Sequence, residues 1–131
     1  MTHQASCSCG QLTLKYPEAI TKSALCHCTE CQKRTGSVFG AQVALKREKT
    51  VVNGNSTIYK RSGDEGGQTT FHFCPTCGST VYWFADGMPE AIIAAVGAFA
   101  DQNFAAPTFS VYEDRMHHWL KLPDSITEHM A

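Results

Sequence analysis

Apolar and polar residues alternate in several short segments of the chain, which is the pattern of half-buried β-strands. The clearest segments are residues 12–16, 38–45, 71–73 and 80–84, the last of which is rich in aromatic and β-branched residues. An Asn-Gly pair at Asn53-Gly54 predicts a tight hairpin turn that leads into a strand at residues 57–59. Together with residues 109–112, these segments predict six to eight short strands and a mainly β fold.

The remaining segments are less regular. Residues 29–35 predict a helical turn that Gly36 ends, and residues 62–67 predict a flexible connecting loop, Ser-Gly-Asp-Glu-Gly-Gly. Residues 91–99 are apolar and fit either a buried strand or a short helix. The most apolar stretch, from Ala91 to Ala100, is about half the length that spans a bilayer, so we expect no membrane partner.

Composition narrows the class of protein. The 131 residues, 43% of them hydrophobic, predict one globular domain over residues 1–131. A formal net charge of −1 without a long basic run argues against a nucleic-acid partner. The N-terminus has no apolar segment typical of a signal peptide, so we expect a reducing, cytoplasmic location, where thiols serve metals or catalysis more often than disulfides.

Seven cysteines fall into three clusters. The first and third clusters each end in Cys-Gly, and their four sulfurs, from Cys7, Cys9, Cys74 and Cys77, are enough to close a tetrahedral structural zinc site. The second cluster leaves Cys26, Cys28 and Cys31. Three protein ligands with a vacant fourth position are typical of a catalytic zinc.

Other groupings fit the same spacing. Cys28 and Cys31 form a Cys-x-x-Cys pair of their own, which would make a zinc ribbon with Cys74 and Cys77. The cysteines would otherwise be buried thiols without metal, or Cys74 and Cys77 would be a redox pair.

The whole pattern resembles the glutathione-dependent formaldehyde-activating enzyme family, which includes the centromere protein V domain. The resemblance rests on Cys7-x-Cys9-Gly, Cys26-His-Cys28-x-x-Cys31 and Phe73-Cys74-x-x-Cys77-Gly-Ser, and on the segment from Tyr112 to Leu122. It implies a β-tent-like arrangement of small antiparallel sheets stapled by zinc. It also implies that the first and third clusters hold a structural zinc and the second a catalytic zinc.

A zinc ion with three thiolates should prefer a soft fourth ligand such as a thiol. We therefore expect a carbon–sulfur lyase that acts on a glutathione adduct, such as S-hydroxymethylglutathione made from glutathione and formaldehyde. Lys33 and Arg34 are the candidate partners of the glutathione carboxylates, and His27 is either a general base or, as its extended position favours, a structural or exposed residue. The alternative function is a non-catalytic, zinc-stabilised binding module.

Overall fold

The structure is a computed structural model, and it describes residues 2–63 and 66–131. Asp64 and Glu65, in the middle of the predicted loop, lie outside the described residues. Within these described residues the protein is mainly β with one short α-helix. In chain order the elements are β1 His3–Ser6, β2 Thr13–Tyr16, β3 Ala24–Cys26, α1 Thr29–Thr35, β4 Gly40–Lys46, β5 Val51–Asn53, β6 Thr57–Ser62, β7 Gln68–Phe73, β8 Thr80–Ala85, β9 Ala91–Ala95, β10 Phe109–Val111 and β11 Glu128–His129, with 3₁₀ turns at Arg47–Lys49, Val96–Phe99 and Glu113–Arg115.

By its internal contacts the chain divides into two compact units, each made of two stretches of sequence. The first unit comprises Met1–Ala19 and Ala44–Asp101, and the second comprises Ile20–Val43 and Gln102–Ala131. The single domain expected from chain length stays a prediction. None of the helices in the described part of the chain is long and apolar enough to cross a membrane.

The first unit contains two antiparallel sets of strands. Strand β2 lies between β1 and β5, and β6, β7, β8 and β9 follow one another as a meander. The predicted alternation is present in β2, where Leu14 and Tyr16 are buried and Lys15 is exposed. Phe71 and Trp83 pack their rings 5.5 Å apart in the meander. Buried aromatic pairs of this kind hold adjacent strands together.

The prediction of a hairpin turn at Asn53-Gly54 is wrong. β5 pairs with β2 and β6 pairs with β7, so the two strands that flank the Asn-Gly pair belong to different sheets. Gly54 has φ +99°, and a Cβ at this position would overlap the carbonyl oxygen of Gln11. The glycine is therefore required by a close approach of two chain segments.

The second unit is built around β10. This strand pairs in parallel with both β3 and β11, and β3 pairs antiparallel with the first residues of β4. The helical turn predicted at residues 29–35 is confirmed as α1, and Gly36 ends it with φ +73°. Residues 91–99, where the sequence left strand and helix open, contain both β9 and a 3₁₀ turn.

Candidate metal centres

Four cysteine sulfurs meet in the first unit. The Sγ atoms of Cys7, Cys9, Cys74 and Cys77 all lie within 4.8 Å of one another. Cys9 Sγ is 3.7 Å from Cys7 Sγ and 3.6 Å from Cys74 Sγ. A tetrahedral zinc with Zn–S bonds near 2.3 Å requires sulfurs about 3.8 Å apart. The spacing fits a four-coordinate metal ion.

Two equivalent turns place these sulfurs. In each turn the N–H of a glycine donates to the carbonyl of the first cysteine: Gly10 to Cys7 at 3.1 Å, and Gly78 to Cys74 at 2.8 Å. Both glycines have positive φ, +87° and +81°. L-residues with a side chain rarely adopt this conformation, so each Cys-Gly ending is a local requirement of the turn.

Hydrogen-bond donors point at the sulfurs. The backbone N–H of Leu12 donates to Cys7 Sγ at 3.3 Å, and the backbone N–H of Thr76 donates to Cys74 Sγ at 3.4 Å. The side-chain amide of Gln11 donates to Cys74 Sγ at 3.0 Å. Donors of this kind stabilise thiolate over thiol. The first unit therefore provides charge stabilisation as well as four ligands.

The pKa values of two thiols at this site shift in opposite directions. Hydrogen bonds from the Ser79 side chain and backbone lower the pKa of Cys77 to about 5. Cys9 keeps its proton: the hydrogen bond from the Gln11 backbone lowers its pKa, but desolvation and the neighbouring cysteine sulfurs outweigh that bond and raise it to about 11. Without a cation, four negative charges cannot accumulate at this spacing. A metal ion is the group that removes this conflict.

Three cysteine sulfurs meet in the second unit. Cys26 is the last residue of β3, Cys28 is the N-cap of α1, and Cys31 lies in the first turn of that helix. All three are buried, and their Sγ atoms lie within 4.8 Å of one another. The backbone N–H of Cys31 donates to Cys28 Sγ at 3.3 Å, so the sulfur caps the helix as a serine oxygen would. The residue that caps the helix is therefore also one of the three candidate metal ligands.

The pKa values of Cys26 and Cys31 shift in opposite directions. The thiol of Cys26 donates to Cys31, which lowers the pKa of Cys31 to about 5 and raises that of Cys26; the guanidinium of Arg34 lowers the pKa of Cys31 further. Gly40 makes room for this contact, since a Cβ there would lie 3.1 Å from an Arg34 terminal nitrogen and 3.7 Å from Cys31 Sγ.

Of the two basic residues that the sequence proposes as glutathione contacts, Arg34 therefore lies against the cluster. Lys33 is exposed and forms an ion pair with Glu30 at 3.6 Å. Surface pairs of this kind contribute little.

His27 is completely buried, and its ring interacts with Ser110. His27 Nε2 lies 2.9 Å from Ser110 Oγ, and Nδ1 has no hydrogen-bond partner among the described residues. Burial lowers the pKa of the ring, which favours neutral imidazole. Of the structural or exposed role favoured by the sequence, the exposed one is wrong and the position agrees with the structural one. Ser110 was not identified from the sequence.

Gln32 ties the three-cysteine segment to the C-terminal part of the chain. Its Nε2 donates to the carbonyl of His27 at 2.9 Å and to the carbonyl of Arg115 at 3.3 Å, and its Oε1 lies 3.0 Å from His117 Nε2. Val111, at the end of β10, packs against the three cysteines. Neither Gln32 nor Val111 carries a sequence signal that separates it from ordinary polar and apolar residues.

The two clusters decide between the groupings that the sequence left open. Cys74 and Cys77 lie with Cys7 and Cys9, so the zinc ribbon with Cys28 and Cys31 is wrong. Both clusters could hold a metal ion, one with four sulfur ligands and one with three.

Comparison with known proteins adds three findings. The family model described as glutathione-dependent formaldehyde-activating enzyme matches residues 2–115. The crystal structure of a Rhodobacter sphaeroides protein, a structural-genomics target, superposes with a TM-score of 0.59 over 98% of this chain and 99% of that one, at 16% sequence identity. At that identity the likeness concerns the fold alone. No curated protein matches the sequence significantly.

Proposed function

Because this chain belongs to the glutathione-dependent formaldehyde-activating enzyme family, we propose that it is a zinc-dependent carbon–sulfur lyase. Its reaction would join glutathione to formaldehyde as S-hydroxymethylglutathione, or reverse that step. In the forward direction the thiol sulfur forms a bond to the carbonyl carbon, and the proton that the sulfur loses ends on the former carbonyl oxygen. No oxidant or reductant is needed.

The observation that supports this proposal is the incomplete ligand set of the second cluster. Within residues 2–63 and 66–131, no fourth cysteine, histidine or carboxylate joins the sulfurs of Cys26, Cys28 and Cys31. A zinc ion bound there would accept a thiol as its fourth ligand and hold it as a thiolate. The four-cysteine cluster would hold a structural zinc, which has no such position.

The residues around the three sulfurs would tune this chemistry. Three thiolates on a divalent ion leave a net charge near −1, which disfavours the approach of a fourth thiolate. Arg34, next to Cys31, offsets part of that charge. Val111 supplies an apolar wall, and the buried His27 ring anchors the segment between two of the ligands. These side chains orient the ligands and limit the access of water.

X-ray absorption at the zinc edge tests the proposal. Four sulfurs at one site and three at the other average three and a half per ion in the zinc-loaded protein. Added glutathione should raise the average to four, and formaldehyde added afterwards should change the spectrum again. An unchanged sulfur count in the presence of glutathione would refute the proposal.

One observation favours the alternative, a zinc-stabilised binding module. Strand β6 lies at the end of its strand order and exposes Ile58 by 52% and Tyr59 by 59%. Exposed apolar side chains on an edge strand are typical of a partner-binding surface. The X-ray experiment separates the functions, because a module with a saturated second metal would not take up glutathione sulfur. The cytoplasmic location and the lack of a nucleic-acid partner stay predictions.

A further inference from the structure

A pocket of about 400 Å³ lies in the second unit, on the segment that follows β10. Its lining residues are consecutive in sequence: Asp114, Arg115, Met116, His117, His118 and Trp119. One cation, one carboxylate, two imidazoles and one indole ring are thus gathered on six residues. Ligand pockets commonly combine aromatic surface with a few polar groups that fix orientation.

The pocket is joined to the three-cysteine cluster through one side chain. Gln32 follows the ligand Cys31 directly, and its amide bonds the carbonyl of His27, which lies between the other two ligands. The same amide bonds the carbonyl of Arg115 and the ring of His117, both of which line the pocket. One glutamine side chain therefore bridges the cysteine segment and the pocket wall. An extended tripeptide, which spans at most roughly 10 Å, is long enough to reach from one to the other.

Gln32 also determines the tautomer of His117. Because Gln32 Nε2 donates to two carbonyls, its Oε1 must be the atom that faces His117, and an amide oxygen only accepts. His117 Nε2 therefore carries the proton that it donates at 3.0 Å. In the neutral ring this leaves Nδ1 as a hydrogen-bond acceptor, suited to an ammonium or amide N–H.

The cation of the pocket is only weakly engaged. The Arg115 guanidinium lies 5.3 Å from the Tyr112 ring centroid, and its Nε is 3.9 Å from an Asp114 carboxylate oxygen, both loose contacts on a half-exposed side chain. Trp119 is 66% exposed although tryptophan is among the most apolar residues, and its ring is 6.0 Å from that of His117. A guanidinium and an open aromatic face are suited to a carboxylate-bearing peptide.

We propose that this pocket binds the peptide part of the thiol substrate, with Arg115 donating to a carboxylate, Asp114 and His117 Nδ1 accepting from N–H groups, and Trp119 covering the chain. The inference rests on the proposed function in taking a glutathione-type thiol as the ligand. It assigns carboxylate recognition to the segment after β10. Arg34, the sequence-based candidate, would then serve the Cys31 sulfur.

S-methylglutathione is the probe that separates pocket binding from thiol chemistry, since its blocked sulfur has no proton to lose. Of the two tryptophans, Trp83 is buried and Trp119 is exposed, so changes in solvent exposure at the pocket should appear in the emission of Trp119. In the zinc-loaded protein we expect a saturable blue shift on titration with S-methylglutathione. Trp119→Phe should abolish that shift.

Arg115→Gln should weaken this binding roughly tenfold, the usual loss for a charge-assisted carboxylate bond. Arg47→Gln is the matched control, because Arg47 also lies in a 3₁₀ turn and stacks on an aromatic ring, 4.1 Å from the centroid of Phe84. The affinity of this variant for S-methylglutathione should equal that of the parent protein. Unchanged zinc content and circular dichroism would show that both variants fold.

Three results would overturn the inference: no saturable change of Trp119 emission, equal affinity of Arg115→Gln and the parent, or a loss confined to Arg34→Gln. The chemical shift of the Trp119 indole N–H in the parent protein also reports S-methylglutathione binding at the pocket, and this measurement needs no variant. The failures are distinguishable. S-methylglutathione binding without added sulfur at zinc refutes only the proposed reaction, and added sulfur with a silent pocket refutes only this assignment.

Discussion

Replacing Gly54 by alanine tests whether the contact between Gly54 and Gln11 stabilises the four-cysteine site. The turn at Gly54 lies against the backbone of Gln11, and a Cβ would overlap the Gln11 carbonyl oxygen. The Gln11 side chain donates to Asn55 O at 2.7 Å, accepts from Asn55 N at 2.9 Å and donates to Cys74 Sγ at 3.0 Å. Pushing the two segments apart therefore strains three hydrogen bonds at once.

The magnitude follows from two contributions. A side chain at φ +99° costs about 1–2 kcal/mol of backbone strain. Weakening three hydrogen bonds of about 1 kcal/mol each adds roughly 2 kcal/mol, so we expect Gly54→Ala to lose about 3–4 kcal/mol of unfolding free energy. Gly66→Ala is the control, because Gly66 has φ +88° and a Cβ added there would meet no described atom within 4 Å. Gly66→Ala should lose only the unfolding free energy that corresponds to the backbone strain, about 1–2 kcal/mol.

Urea unfolding at a fixed excess of zinc measures both variants, since bound metal shifts apparent stability by mass action. Chelator competition should also show faster zinc loss from Gly54→Ala than from Gly66→Ala. Equal unfolding free energies for the two variants would refute the argument that Gly54 is required by contact with Gln11.

Two further predictions concern residues next to the three-cysteine cluster. Arg34→Gln should weaken zinc binding at the three-cysteine site about tenfold in chelator competition, whereas Lys33→Gln, the exposed neighbour, should leave it unchanged; equal effects would contradict the role given to Arg34. Ser110→Ala leaves Nε2 of the buried histidine without a partner and should cost about 1–3 kcal/mol in urea unfolding, and a loss below about 0.5 kcal/mol would show that this bond does not hold the ligand segment.

The turns that carry the cysteines could be predicted because they depend on local rules. A Cys-Gly turn requires its glycine at positive φ, and the structure gives Gly10 and Gly78 that conformation. The helical turn that begins after Cys28 was predictable for the same reason, because Gly36 ends it in the left-handed conformation. Counting ligands then favoured four sulfurs at one site and three at the other, although the spacing also fitted a zinc ribbon.

Apart from the grouping of the cysteines, long-range contacts were not predictable from the sequence. The strands at His3–Ser6 and Ala24–Cys26 have four and three residues, too few for a recognisable period, and pairing with other strands forms them. Ser110 lies 83 residues from the histidine it bonds, and no local pattern marks it. The Asn53-Gly54 pair misled for a related reason: the glycine serves a contact with Gln11, 43 positions earlier in the numbering.

The number of bound zinc ions, measured by native mass spectrometry, tests the central claim that four sulfurs form a closed site and three an open one. We predict two ions in the parent protein, and one ion with the fold retained in Cys28→Ser. Cys77→Ser should unfold, since structural zinc contributes roughly 10–16 kcal/mol of apparent binding free energy in zinc-finger peptides. A parent that binds a single ion, or a Cys28→Ser variant that still holds two, would contradict the account.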